Sequence, residues 1–131
     1  MLKEGALTQK ILTAFYDVYN RLSFGFLEKV YENALIYELQ RKNLHGIRQV
    51  KIDVFDLNVK VGGYYADIIV ENKVILEIKA AEGLREEHEA QLINYLRATH
   101  IEVGLLLNFG EKPQFKRKIF DNSRKKSVTI S

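Results

Sequence analysis

Three charged residues stand inside stretches that otherwise read as apolar strands. Asp67 interrupts Ala66-Asp67-Ile68-Ile69-Val70, and Glu77 and Lys79 interrupt Val74-Ile75-Leu76-Glu77-Ile78-Lys79-Ala80. Both stretches have strand composition, and Glu71-Asn72 between them is turn-prone. Paired as a tight hairpin, they bring residues 67 and 77 nearly opposite one another, while strand alternation gives Glu77 and Lys79 one face. Two carboxylates and an ammonium then meet at one end of a ribbon. Like charges at that spacing repel unless a cation lies between them, and an oxygen-only pair of acids suits a hard divalent ion such as Mg²⁺. The same residues could instead form a solvated strand face on which Glu77 and Lys79 merely offset each other, so the rest of the chain has to decide.

Positioning such a ribbon takes helices on either side of a sheet. Ile11, Leu12, Phe15, Val18, Tyr19 and Leu22 recur at helical spacing and predict an amphipathic helix over residues 8–22. Ser23 offers a cap just before Gly25, and Leu27, Val30, Tyr31, Ala34, Leu35 and Leu39 predict a second helix to about Asn43, with Gly46 in the loop beyond. Val50, Ile52 and Val54 alternate with Lys51 and Asp53 as a half-buried strand, which Asp56-Leu57-Asn58 turns back into a short strand over 59–61. Gly62-Gly63 then reads as a hairpin leading into the Asp67 strand. Helical character returns over 86–99 with Leu92, Ile93 and Leu96 inward; residues 103–109 suit a buried strand and 114–120 a basic edge strand. The order α-α-β-β-β-α-β, with a further edge strand, describes an α/β layered domain with a mixed sheet and a helix for each face.

With 131 residues, 47% of them hydrophobic, one proline and no repeated or Ser-rich stretch, the chain reads as a single domain over 1–131. The absence of cysteine excludes disulfides and thiolate sites, and His45, His88 and His100 are too widely spaced for a familiar zinc pattern. The opening residues lead into a mixed polar and apolar helix, so neither a signal peptide nor a membrane span is expected, and a cytoplasmic location is. Net charge is +3, unevenly spread. Lys112, Lys116, Arg117, Lys118, Arg124, Lys125 and Lys126 against Glu111 and Asp121 give the segment from about 111 a charge of +5, leaving the remainder near −2. A basic tail of this kind suits a phosphate-bearing partner, or serves only to solubilise the end.

Two further sets of residues fit the same chemistry. Glu28 projects at the edge of the apolar stripe of the second helix, where a carboxylate is partly desolvated and needs a partner; Glu38 lies deeper still and shows that this helix tolerates acids. His88, Gln91 and Tyr95, spaced by three and four, line one flank of the helix that follows Lys79 and could hold a carboxylate, a lysine or a phosphate oxygen. Each set alone is compatible with an ordinary solvated helix edge.

Together these residues carry a family resemblance. Gly25-Phe26-Leu27-Glu28-Lys29-Val30-Tyr31 fits Gly-x-x-Glu-x-x-Tyr, and with Asp67, Glu77-Ile78-Lys79, the stretch His88 to Leu96 and Val103 to Gly110 the chain resembles the GxxExxY family of the PD-(D/E)XK nuclease superfamily from about Ile11 to Phe120. The resemblance implies a restriction-endonuclease-like core. It implies Asp67 and Glu77 as Mg²⁺ ligands, with Mn²⁺ able to substitute, the backbone carbonyl of Ile78 completing the site, and Glu28 reaching the metal directly or through water. Lys79 would orient or activate the attacking water, and Gln91 and Tyr95 match the Gln-x-x-x-Tyr element of RecB-like members. Two features depart from the pattern: Ser23-Phe24-Gly25 replaces a Gly-Pro-Gly lead-in, and Ala66 stands where a proline often precedes the acid.

The implied function is metal-dependent hydrolysis of phosphodiester bonds in nucleic acid, with DNA the expected class and a homodimer one way for so small a domain to cover a duplex. Two rivals remain open at this point: a non-catalytic nucleic-acid-binding or protein-interaction module that keeps the nuclease fold, and an assembly protein in which Asp67, Glu77 and Lys79 form an ion-pair cluster.

Overall fold

The computed structural model of the chain describes residues 2–125. Helix α1 (Gly5–Leu22) buries Ile11, Ala14, Phe15 and Val18, the stripe its spacing predicts. It ends at Ser23, whose backbone turns left-handed (φ 58°) and whose N–H donates to the Tyr19 carbonyl at 2.8 Å. Ser23 therefore closes α1 and does not open the next helix. Helix α2 (Glu28–Arg41) starts at Glu28 behind Leu27, with no side-chain cap, and buries Tyr31, Leu35 and Leu39 together with the acids Glu32 and Glu38.

Strand β1 (Gly46–Asp56) turns into β2 (Val59–Val70) through Leu57 and Asn58, both at positive φ as a two-residue hairpin requires. Gly46 opens β1 and is not in the preceding loop. Gly62-Gly63 makes no hairpin: the two glycines lie inside β2 opposite Val54 and Asp53, next to a register shift at Val54/Phe55. The expected short strand over 59–61 and the Asp67 strand are thus one. Glycine inside a strand commonly marks such an irregularity, and the turn at 57–58 already supplies the reversal. Glu71 and Asn72, both at positive φ, turn β2 into β3 (Val74–Lys79) as expected. Helix α3 (Glu86–Arg97), β4 (Val103–Phe109), β5 (Pro113–Ile119) and one 3₁₀ turn at Asn122–Arg124 follow.

The sheet runs β1-β2-β3-β4-β5, antiparallel throughout except for the β3–β4 pair, which α3 joins as a crossover. One core lies under α1 and α2, against Ile68, Leu76, Ile78, Leu105 and Leu107; the other lies under α3, against Ile52, Ala66, Ile75 and Leu106. A sheet covered on both faces explains why β3 and β4 are apolar almost without alternation. The two hairpin strands change faces along their length. Gly46 and Arg48 meet α2, whereas Val50, Ile52 and Val54 pack with α3. The switch falls at Gln49, which has φ 49°, and in β2 it falls between Ala66 and Ile68, at Asp67. Of the basic segment that begins near 111, residues 113–119 form edge strand β5, Lys125 is buried with Nζ donating to the Thr99 and Ile101 carbonyls at 2.9 and 2.7 Å, and Lys126 lies outside the described residues.

Candidate active site

Strands β2 and β3 stay in register from Val70↔Val74 to Ile68↔Leu76. One residue further, side chains take over from the ladder. The Asp67 N–H donates to Glu77 Oε2 at 2.9 Å, and the Ile78 N–H donates to Asp67 Oδ2 at 2.7 Å. Each carboxylate thus satisfies the backbone of the opposite strand, and the strands fork with both acids between them. The N–H and C=O of one strand residue leave on the same edge, so the Ile78 carbonyl faces this fork as well.

Glu77 is 4% exposed and Asp67 half-buried. Burial, and then the neighbouring Asp67 charge, push the Glu77 carboxyl from its ordinary 4.5 up to about 8, although the Asp67 N–H and Lys79 pull the other way. Burial also raises Asp67, with Glu32 and Glu28 adding to the effect and the Ile78 N–H and Lys79 opposing it. A buried and a half-buried acid that both resist ionisation form a site short of positive charge. The oxygens on hand, two carboxylates and one carbonyl, fit a hard divalent cation.

On the α3 side, Gln91 Nε2 donates to Tyr95 Oη at 2.9 Å. Burial and then the charges of Glu77 and Asp67 raise the Tyr95 hydroxyl to about 12, so it keeps its proton within electrostatic reach of the acids. His88, the third residue of that flank, is occupied otherwise: its Nδ1 accepts from the Arg85 N–H at 3.1 Å and caps α3.

Glu28 differs from expectation. It is exposed rather than set at the edge of the apolar stripe, because α2 begins at this residue and the packed stripe begins a turn later. Its charge still raises both Asp67 and Glu77, so it points its influence at the fork. No group of three or more His, Cys, Asp or Glu close enough to share a metal occurs among the described residues, so the fork unites Asp67 and Glu77 but not Glu28 with them.

Several supporting residues escape a sequence reading. Glu32, one turn after Glu28 and 4% exposed, accepts from Arg48 Nε and Nη2 at 3.1 and 3.0 Å, Lys29 Nζ at 3.0 Å and Gln49 Nε2 at 2.7 Å. Burial alone would raise its carboxyl, but these donors hold it below the usual range. The cluster fastens α2 to β1 at the face switch opposite Asp67. Its one sequence signal is an acid three residues before Leu35 on the packed side of the helix.

Asn108, fully buried and in register with Lys79, continues the sheet with its side chain: the Ala81 N–H donates to its Oδ1 at 2.9 Å, and its Nδ2 donates to the Ala81 carbonyl at 3.0 Å. A Cβ on Gly110 would lie 2.5 Å from that same carbonyl, so only glycine fits there. Tyr31, stacked on Phe109 at 4.2 Å, donates its hydroxyl to the Ser23 carbonyl at 2.6 Å and accepts from the Phe26 N–H at 3.2 Å. It fixes the loop that delivers Glu28.

A helix pair, a mixed five-stranded sheet and a crossover helix, with acids at the fork of two central strands, define an α/β domain with a restriction-endonuclease-like core. The family model of the PD-(D/E)XK nuclease superfamily matches residues 5–118, from α1 to β5, and the chain belongs to that superfamily. Among solved structures, the crystal structure of SSO0001 is similar in fold, with a TM-score of 0.50 and 21% identity over 71% of this chain and 50% of that one. The chain therefore spans about half the length of that protein. No curated protein matches the sequence.

Proposed function

We propose that the chain is a Mg²⁺-dependent nuclease that hydrolyses phosphodiester bonds, with DNA as the expected substrate, and that within the superfamily it falls in the GxxExxY family through Gly25, Glu28 and Tyr31. The observation that carries this reading is the crossed pair at the fork: each carboxylate is bonded to the other's strand, both are raised by burial, and Lys79 lies two residues beyond Glu77.

Asp67, Glu77 and the Ile78 carbonyl would hold the cation, with Glu28 completing its shell through water. Mn²⁺ would serve in place of Mg²⁺. A divalent ion there supplies polarisation of a phosphoryl oxygen and a more acidic bound water. The remaining work belongs to the chain. Lys79 brings positive charge toward the phosphate as negative charge builds on it, and orients the attacking water. Gln91 donates to the Tyr95 oxygen and so leaves the Tyr95 O–H free to donate toward the acids or a phosphate oxygen.

Calorimetric titration of Mg²⁺ and Mn²⁺ into the wild type and Asp67→Ala, followed by incubation with labelled single- and double-stranded DNA and RNA, tests the reading. Metal binding and cleavage are both expected to vanish in the variant. Cleavage unchanged by Asp67→Ala would sink the assignment, and nucleic-acid binding that survives both chelation and loss of Asp67, with no cleavage by the wild type, would assign the non-catalytic module instead.

A further inference from the structure

The loop between α1 and α2 holds large apolar side chains in water. Phe24, Phe26 and Leu27 are 52%, 48% and 80% exposed. The exposure is built into the loop: Gly25 turns at φ 112°, a conformation other residues rarely adopt, and the Tyr31 hydroxyl ties the chain on both sides of it to a buried ring. A grouped apolar surface kept open in this way marks a contact site.

These three side chains wall a concavity whose other side is formed by Ala81, Glu82 and Glu111. Its walls run into the segments that carry the candidate site: Leu27 immediately precedes Glu28, and Ala80 and Ala81 follow Lys79 at the end of β3. The charges at its edge are carboxylates, which repel a phosphate. A nucleobase satisfies the site on each count, because it is flat, apolar on its faces, uncharged, and edged with N–H donors that carboxylates accept. A base already stacked within a duplex cannot offer both its face and its edge without leaving the stack.

We propose that this concavity is a subsite for an unpaired nucleobase next to the cleaved phosphate, with Phe24 and Phe26 as its stacking surfaces, so that the substrate is nucleic acid that is single-stranded at the cut. The proposal rests on the nuclease reading and narrows its substrate class.

The chain contains no tryptophan, so Phe24→Trp places its one indole at the subsite, excited at the red edge where the seven tyrosines do not absorb. The full chain carrying Phe24→Trp is titrated in EDTA with oligothymidylate and oligouridylate about a dozen nucleotides long, with an abasic strand of the same length, and with a blunt duplex; anisotropy of labelled strands reports binding in parallel. Saturable quenching by at least one base-bearing single strand, and none by the abasic strand or the duplex, is expected. Phe24→Ala is expected to weaken single-strand binding about tenfold or more with an unchanged melting temperature, the usual weight of one aromatic–base stack. Absence of binding, absence of quenching by bound single strands, equal quenching by the duplex or the abasic strand, or wild-type affinity in Phe24→Ala would each overturn the proposal. Asp67-dependent cleavage without quenching removes this subsite and leaves the nuclease reading standing, whereas quenching without cleavage removes the nuclease reading and reduces the concavity to a base-binding surface with no cut beside it.

Discussion

Replacing Glu77 with glutamine keeps the shape of the side chain and its acceptor for the Asp67 N–H, and removes a charge the fold resists. The wild-type carboxyl rises from 4.5 to about 8 on folding, through burial first and the Asp67 charge second. An acid raised on folding holds its proton more tightly in the native state. Below the unfolded value both states are protonated and nothing is lost; between the two values the unfolded chain alone ionises, so stability falls as pH rises; above the folded value the full loss persists. At about 1.4 kcal/mol per pH unit the whole window amounts to roughly 5 kcal/mol, of which about 3 kcal/mol falls between about pH 6 and pH 9. Asp67, also raised, adds its loss toward the acid end of the window. For a domain of this size about 3 °C per kcal/mol gives a wild-type melting temperature roughly 8 °C lower at the alkaline end. The assay is thermal melting in EDTA at both pH values for the wild type and Glu77→Gln. The variant should show little of this fall and should melt above the wild type at high pH. A wild type whose melting temperature is level across the window, or a variant that falls in parallel with it, would show that Glu77 does not ionise against the fold and would remove the electrostatic case for a cation at the fork.

Lys79→Met should abolish cleavage while retaining calorimetric Mg²⁺ binding, because the ammonium is assigned to the phosphate and water rather than to the ligand set; cleavage at the wild-type rate would refute that role. Asn108→Ala strips the half-buried Ala81 N–H and carbonyl of their partners and should cost about 1–3 kcal/mol in urea unfolding, an outcome contradicted by a loss under about 0.5 kcal/mol. Gly110→Ala drives a methyl toward the Ala81 carbonyl and should cost about 1–3 kcal/mol in the same measurement. Tyr31→Phe deletes the hydroxyl that ties Ser23 to Phe26 and should cost about 1–2 kcal/mol, with faster hydrogen exchange at the Phe26 amide; unchanged exchange there would show that the loop is held by packing alone.

The pairing of Asp67 with Glu77 was legible in the residues, because a strand alternates with period two and a tight turn at Glu71-Asn72 sets the register, both of which act over a few residues. The same local rules gave α1, α2, α3, β4 and edge strand β5 to within a few residues. They failed at Gly62-Gly63, where two glycines carry a turn signal but Leu57 and Asn58 had already made the turn, and at Ser23, where a capping residue closes one helix instead of opening another. The sequence could name Glu28, Gln91 and Tyr95 but not their distances from the fork. The Gln91–Tyr95 bond is local to α3, whereas its approach to Glu77 comes from the crossover that lays α3 on the sheet. Glu32 with Arg48, Asn108 with Ala81, and the face switch at Gln49 join segments far apart in the chain, and no periodicity reports them. The charge state of Glu77 belongs wholly to the tertiary structure: covering the sheet on both faces removes water from a carboxylate that would otherwise be ordinary, and the demand for a cation follows from that desolvation rather than from the residue type.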